Sequence, residues 1–137
     1  MSAIALTSAQ VAPIFPEDAE IFDFVADELV SAGQAIYGTT TGGAGLADAD
    51  ASGKDAFRGI ALNSAGAGQA VSVLKKGHVA GFAVSGMAYN APAYLSTTAG
   101  GLDTAAPGSG TTLICGRVVP MSDSARTKVL YIDADWV

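Results

Sequence analysis

The chain has 137 residues, enough for one domain with its own core and too few for two. Seventeen glycines and only 15% charged residues set it apart from helix-rich soluble domains, which carry more Glu, Lys, Leu and Arg. Its net charge is −6 and its seven basic residues are scattered, with Lys75-Lys76 the one adjacent pair, so the clustered positive charge that nucleic acid or an anionic membrane demands is missing.

Residues 1–19 read as an extended arm. Met1 to Gln10 lacks the basic start and long apolar stretch of a secretion signal, and no segment reaches the length of a membrane span, so a protein made in a cytosol and remaining soluble is expected. Pro13 and Pro16 each bias the preceding residue away from the helical region and remove a backbone donor. Ile4, Leu6, Val11, Ile14 and Phe15 give such an arm apolar side chains to dock with, on a neighbouring subunit or a larger partner. From Glu20 to Val30, Pro16-Glu17-Asp18 suits a helix start, but Glu20-Ile21-Phe22-Asp23-Phe24-Val25 is rich in strand formers and the strand reading is preferred, with a turn over residues 26–33.

The remainder reads twice. Tyr37-Gly38-Thr39-Thr40-Thr41-Gly42-Gly43 matches Tyr94-Leu95-Ser96-Thr97-Thr98-Ala99-Gly100, pairing Tyr37 with Tyr94 and Gly43 with Gly100; after a one-residue gap Leu46 matches Leu102. Phe57-Arg58-Gly59 lines up with Ile114-Cys115-Gly116, and Ala70 to Leu74 with Lys128 to Ile132. Between the copies, His78 to Val84 reads as a linking strand. Two halves, about 33–76 and 90–134, within a domain spanning 20–137 predict an all-β fold, a single compact barrel or sandwich of about eight to ten short strands. Closure of such a sheet accounts for the little charge spent on its edges.

Each candidate for chemistry lacks part of its motif. Asp48-Ala49-Asp50-Ala51-Ser52-Gly53 opens like a calcium loop, but position twelve is Gly59 rather than a bidentate Glu, so turn-forming aspartates are the better account. Gly53-Lys54-Asp55 has neither the upstream glycine nor the Ser or Thr of a phosphate loop. Ser72-Val73-Leu74-Lys75 matches the text of serine acylases, yet lies in a strand pattern that separates the two side chains. His78 is the single histidine and reads as a partly buried residue at a strand end. Cys115, the single cysteine, excludes an intrachain disulfide and sits in the apolar run Leu113-Ile114-Cys115 as a buried thiol. No catalytic, metal or cofactor site is expected, and the chain reads as non-enzymatic. Trp136 is either an exposed tail residue or an interface anchor.

Between Glu20 and Ile132 the text resembles a family of short phage head decoration, or capsid cement, proteins, some of whose members carry a RecA/RadA-like recombinase label. The resemblance lies in Val30-Ser31-Ala32-Gly33-Gln34-Ala35-Ile36-Tyr37, Arg58-Gly59-Ile60-Ala61, Asn90-Ala91-Pro92-Ala93-Tyr94 with its Thr/Gly turn, and Cys115-Gly116-Arg117-Val118-Val119. A recombinase label has no support here, since the nucleotide-binding loop is missing. The resemblance implies a virion protein on the outer capsid surface, bound to the major capsid protein and bracing an expanded shell, with a homotrimer favoured. On that view Ile4, Leu6, Val11, Ile14, Phe15 and Trp136 are the candidate interface residues. The rival expectation is another phage structural or binding β module, of a tail, a baseplate or a glycan-contacting kind.

Overall fold

The computed structural model describes residues 3–136. The fold is all-β: ten antiparallel strands form one curled sheet, a half-barrel, with two short 3₁₀ turns at Ser8–Gln10 and Pro16–Asp18. In chain order the strands are β1 (Ala12–Pro13), β2 (Glu20–Val25), β3 (Ala35–Gly38), β4 (Ala44–Leu46), β5 (Phe57–Ala61), β6 (Ala70–Ala80), β7 (Pro92–Leu95), β8 (Leu102–Asp103), β9 (Ile114–Pro120) and β10 (Lys128–Asp133). Their order across the sheet is β4-β3-β5-β6-β10-β9-β7-β8, with β1 and β2 also on β6.

The eleven-residue β6 joins the halves. Its first part pairs with β5, placing Leu74 opposite Ile60, and its second part pairs with β10, placing Val79 opposite Leu130. Along its other edge run β2, opposite residues 70–76, and β1, opposite Val79 and Ala80. A separate linking strand over His78 to Val84 does not form. Residues 78–80 complete β6, after which the chain bonds to the amino-terminal segment through Thr7 N–H to Gly81 O and Ala83 N–H to Ala5 O, both 2.9 Å.

Both halves carry the same unit. In β3–β5 the register shifts between Ile36 and Tyr37; in β7–β9 it shifts between Ala93 and Tyr94. Gly59 and Gly116 occupy matching places, and at each a Cβ would collide with a main-chain carbonyl of the next strand, that of Leu74 or of Tyr131. Only glycine allows so close a backbone approach.

The register also corrects the alignment in two places. The first turn closes from Thr39 N–H to Gly43 O, the second from Ser96 N–H to Gly101 O, so the second turn is one residue longer. Gly42 and Gly100, both at positive φ, are therefore the counterparts. Leu102 pairs with Leu95 and takes the place of Ala44 rather than Leu46. Likewise Leu74 corresponds to Tyr131 and not to Ile132.

Two clusters form the core. The larger, between the halves, includes Ile60, Leu74, Leu95, Leu102, Leu130 and Ile132; the smaller includes Val30, Ile36, Val71 and Val73. Neighbouring residues of β3 (Ala35, Ile36), β5 (Ile60, Ala61) and β6 (Val73, Leu74) fall into different clusters, so the first half-sheet is buried on both faces.

The amino-terminal segment, expected as an extended arm for docking on a neighbouring subunit or a larger partner, is extended but packs on its own chain. It lies along its own domain: Ile4 N–H bonds Leu102 O at 2.9 Å, Leu6 bridges to Phe82, Pro13 pairs with Val79, and Ile14 N–H bonds His78 O at 3.0 Å. Ile4 and Val11 are 6% and 7% exposed and belong to the larger core cluster. Deleting residues 1–13 should thus cost about 3–6 kcal/mol, at about 1.5–3 kcal/mol for each of those two buried side chains. Urea unfolding followed by circular dichroism measures this; a truncated protein as stable as the full chain would contradict the docking described.

Candidate functional site

Strand β2 forms because Ile21, Phe22, Phe24 and Val25 suit an extended backbone, and it is held by six pairings to β6 from Glu20–Lys76 to Val25–Ala70. Five of its six residues are exposed. Ile21, Phe22 and Val25 are 37%, 42% and 55% exposed, and Leu29, just beyond the strand, is 71% exposed. They line the β2 edge as an apolar strip that shows on both faces of the strand, Ile21 and Val25 on one and Phe22 on the other, with Leu29 beyond the strand's end.

The loop after β2 presents Leu29 from a fixed frame. Ala26 and Val30, on either side of it, are buried. Ala26 N–H donates to Gln69 O, Asp27 N–H to Ala44 O and Val30 N–H to Ala65 O, at 2.8–2.9 Å. The Asp27 carboxylate accepts the hydroxyls of Thr39 and Thr41 at 2.5 and 3.0 Å, and Glu28 accepts the Leu46 N–H at 3.1 Å. With its neighbours tied this way, Leu29 stands outward without a flexible stem.

Trp136 packs on the Phe22 face of the strand. Its ring stacks at a tilt on Phe22, centroids 4.8 Å apart, and meets Phe24 edge-on at 6.0 Å. Its indole N–H donates to Arg58 O at 2.9 Å. The Lys75 ammonium lies 4.8 Å from the ring centroid and 3.5 Å from the Glu20 carboxylate. Aromatic pairs of this kind contribute about 0.5–1.5 kcal/mol and a partly exposed cation over the ring about 0.5–1 kcal/mol. The carboxy-terminal segment is therefore fixed across the sheet face rather than trailing.

Of the residues singled out from the sequence, the structure brings only Trp136 to this surface. Ile4 and Val11 are core; Leu6, Ile14 and Phe15 are half-buried, with Phe15 edge-on to His78 at 5.1 Å. Ile21, Phe22, Val25 and Leu29 escaped the sequence reading. Their signal was present: apolar side chains at both parities of one strand, between acidic residues.

The chemically versatile side chains have structural partners. His78 lies between Phe15 and Tyr131, ring centroids 5.1 Å from each. Asp48 accepts the Asp50 N–H at 3.2 Å, which closes the turn opening the aspartate-rich loop. The Ser72 hydroxyl donates to Asp23 at 2.9 Å, apart from Lys75, which binds Glu20. Thr127, through its hydroxyl and its N–H, holds the Asp123 carboxyl below its usual range in the turn before β10. A shallow cleft of 430 Å³ over β9 and β10 is lined by Ile114, Arg117, Tyr131, Asp133 and Asp135, with Asp133 3.6 Å from Lys76. Among the described residues, no three His, Cys, Asp or Glu side chains gather as a metal site would need. No protein-family model matches the chain, and neither does any curated protein.

Cys115 is fully buried, and burial pushes its thiol well above the ordinary range by penalising the thiolate. A folded-state value raised above the unfolded one leaves stability intact below about pH 8.5 and erodes it as the pH climbs beyond, because only the unfolded chain releases the proton. A disulfide exchange reagent should accordingly react with Cys115 only on unfolding, and the wild type should lose stability above about pH 8.5 more steeply than Cys115→Ala. Rapid labelling of the folded protein, or equal slopes, would contradict this assignment.

Proposed function

We propose that this protein is a non-enzymatic decoration protein of a phage head, which binds the outside of the assembled shell and stabilises it. The observation that carries the reading is the exposed apolar strip along the β2 edge, Ile21 and Val25 on one face and Phe22 on the other, with Leu29 beyond it and Trp136 packed on the Phe22 face, on a fold whose other large apolar residues are mostly buried. Such a strip, fixed in place before any partner arrives, serves binding better than chemistry: little order is left to impose, so association costs less conformational entropy. The family resemblance from Glu20 to Ile132 supplies the kind of partner, the major capsid protein.

Two further features support the reading. A protein that adds at many sites of a finished lattice needs a compact body with a ready contact face, and the amino-terminal segment docked on its own sheet makes the body compact. The acidic balance, net −6, keeps a virion coat from adhering to stray nucleic acid. A homotrimer is the assembly proposed on the shell.

Mixing the purified protein with expanded heads that lack it should give saturable co-sedimentation and raise the temperature at which the heads release DNA. Heads that neither bind the protein nor gain heat resistance would overturn the proposal, and binding to a tail component or a glycan instead would favour the rival module.

A further inference from the structure

The sheet runs from β4 to β8, and the chain caps both ends itself. Outside β4, Asp27 N–H bonds Ala44 O, Glu28 accepts the Leu46 N–H, and Ala26 bridges to Ala44. Outside β8, Ile4 N–H bonds Leu102 O and Ala3 bridges to Asp103. β2 is treated differently. One of its edges pairs with β6 over all six residues, and among the described residues no main-chain hydrogen bond or bridge occupies the other.

A free edge of this length invites another strand, and proteins commonly guard against that with Lys, Pro or an outward charge. β2 contains neither Lys nor Pro. Its two charges, Glu20 near the Lys75 ammonium and Asp23 on the Ser72 hydroxyl, are both acidic, so they guard the edge against another acidic strand and not against a basic one. Its register irregularity lies at the first step, between Glu20 and Ile21, which leaves Ile21 to Val25 regular. We infer that β2 is an acceptor strand: an extended segment of the capsid subunit adds to its open edge through main-chain hydrogen bonds and seats apolar side chains against Ile21, Phe22 and Val25. The inference rests on the decoration reading and names the contact it would use.

Charge decides the occupant. From Glu17 to Glu28 the chain carries six carboxylates (Glu17, Asp18, Glu20, Asp23, Asp27, Glu28) and no Lys or Arg. Pairing β2 with β2 of a second copy would set these two acidic segments side by side, and like charges across strands oppose pairing. A segment that alternates apolar residues with Lys or Arg satisfies both the strip and its acidic border, and its binding weakens as salt is added.

The test uses the full-length protein and expanded heads lacking it. Ile21→Lys and Val25→Lys should each weaken binding by about tenfold or more, since a charge placed at a contact centre is costly, with circular dichroism and melting unchanged. Ile114→Lys, on β9 and 41% exposed in the wild type, should bind within about twofold of wild type, as surface changes away from a contact do. In wild type, hydrogen exchange should slow when heads are added at those amides of residues 21–25 that point to the open edge rather than to β6, a readout that needs no variant and stands even where Ile21→Lys does not fold. Wild-type binding with both variants unimpaired and those amides still exchanging fast would overturn the acceptor strand while leaving decoration standing. Absence of wild-type binding would overturn both. Slow exchange of the same amides in the free protein, rising with its concentration, would assign the edge to a second copy and overturn the inference.

Discussion

One strand cannot belong to two half-sheets unless its edges are used at different heights, and β6 meets this condition. Its early residues bond β5 and its later ones β10 along the same edge, and Lys76, at the changeover, faces Asp133 on that side and Glu20 on the other. Gly77, at positive φ and close to Ala19, lies at the same level. Because Val73 and Leu74 point into different core clusters, β6 is also the partition between the two hydrophobic cores. Eleven residues of strand thus set the position of every other element, and burial of their side chains is the main source of cohesion.

That arrangement gives the residues ahead of the repeat a structural task. A doubled unit ends in two edges, β4 and β8, which would be open if the repeat stood alone. Residues 3–4 cap one and residues 26–28 the other, while β1 and β2 lie along the free side of β6. Residues ahead of the repeat are therefore part of the fold and not an appendage. What they leave uncovered is the outer edge of β2 with Ile21, Phe22, Val25 and Leu29. An exposed strip on a sheet whose two end strands are capped is where the proposed contact with a shell belongs.

The all-β class and the doubled unit were legible because glycines at close approaches and turns leave a mark in the text. Gly59 and Gly116 align in the sequence as they do in the sheet. The finer register was not legible: in Gly- and Thr-rich text the extra residue of the second turn can be placed on either side of a glycine, and only the bonds from Thr39 to Gly43 and Ser96 to Gly101 decide it. Pro13 and Pro16 suggested an extended arm that docks on a neighbouring subunit or a larger partner, yet a proline is tolerated on a two-residue strand along a sheet border, where its missing donor is not needed. Trp136 was ambiguous for a different reason. Its partners Phe22, Phe24, Lys75 and Arg58 are far away in the chain, and local pattern carries no information about such contacts.

The most direct measurement is a reconstruction by electron cryomicroscopy of expanded phage heads carrying this protein. The account predicts density for the ten-stranded fold on the outer surface, with the β2 edge against an extended segment of a capsid subunit and residues 3–13 folded on their own domain. Heads without that density, or a protein attached through an undocked amino-terminal arm with β2 facing solvent, would contradict it.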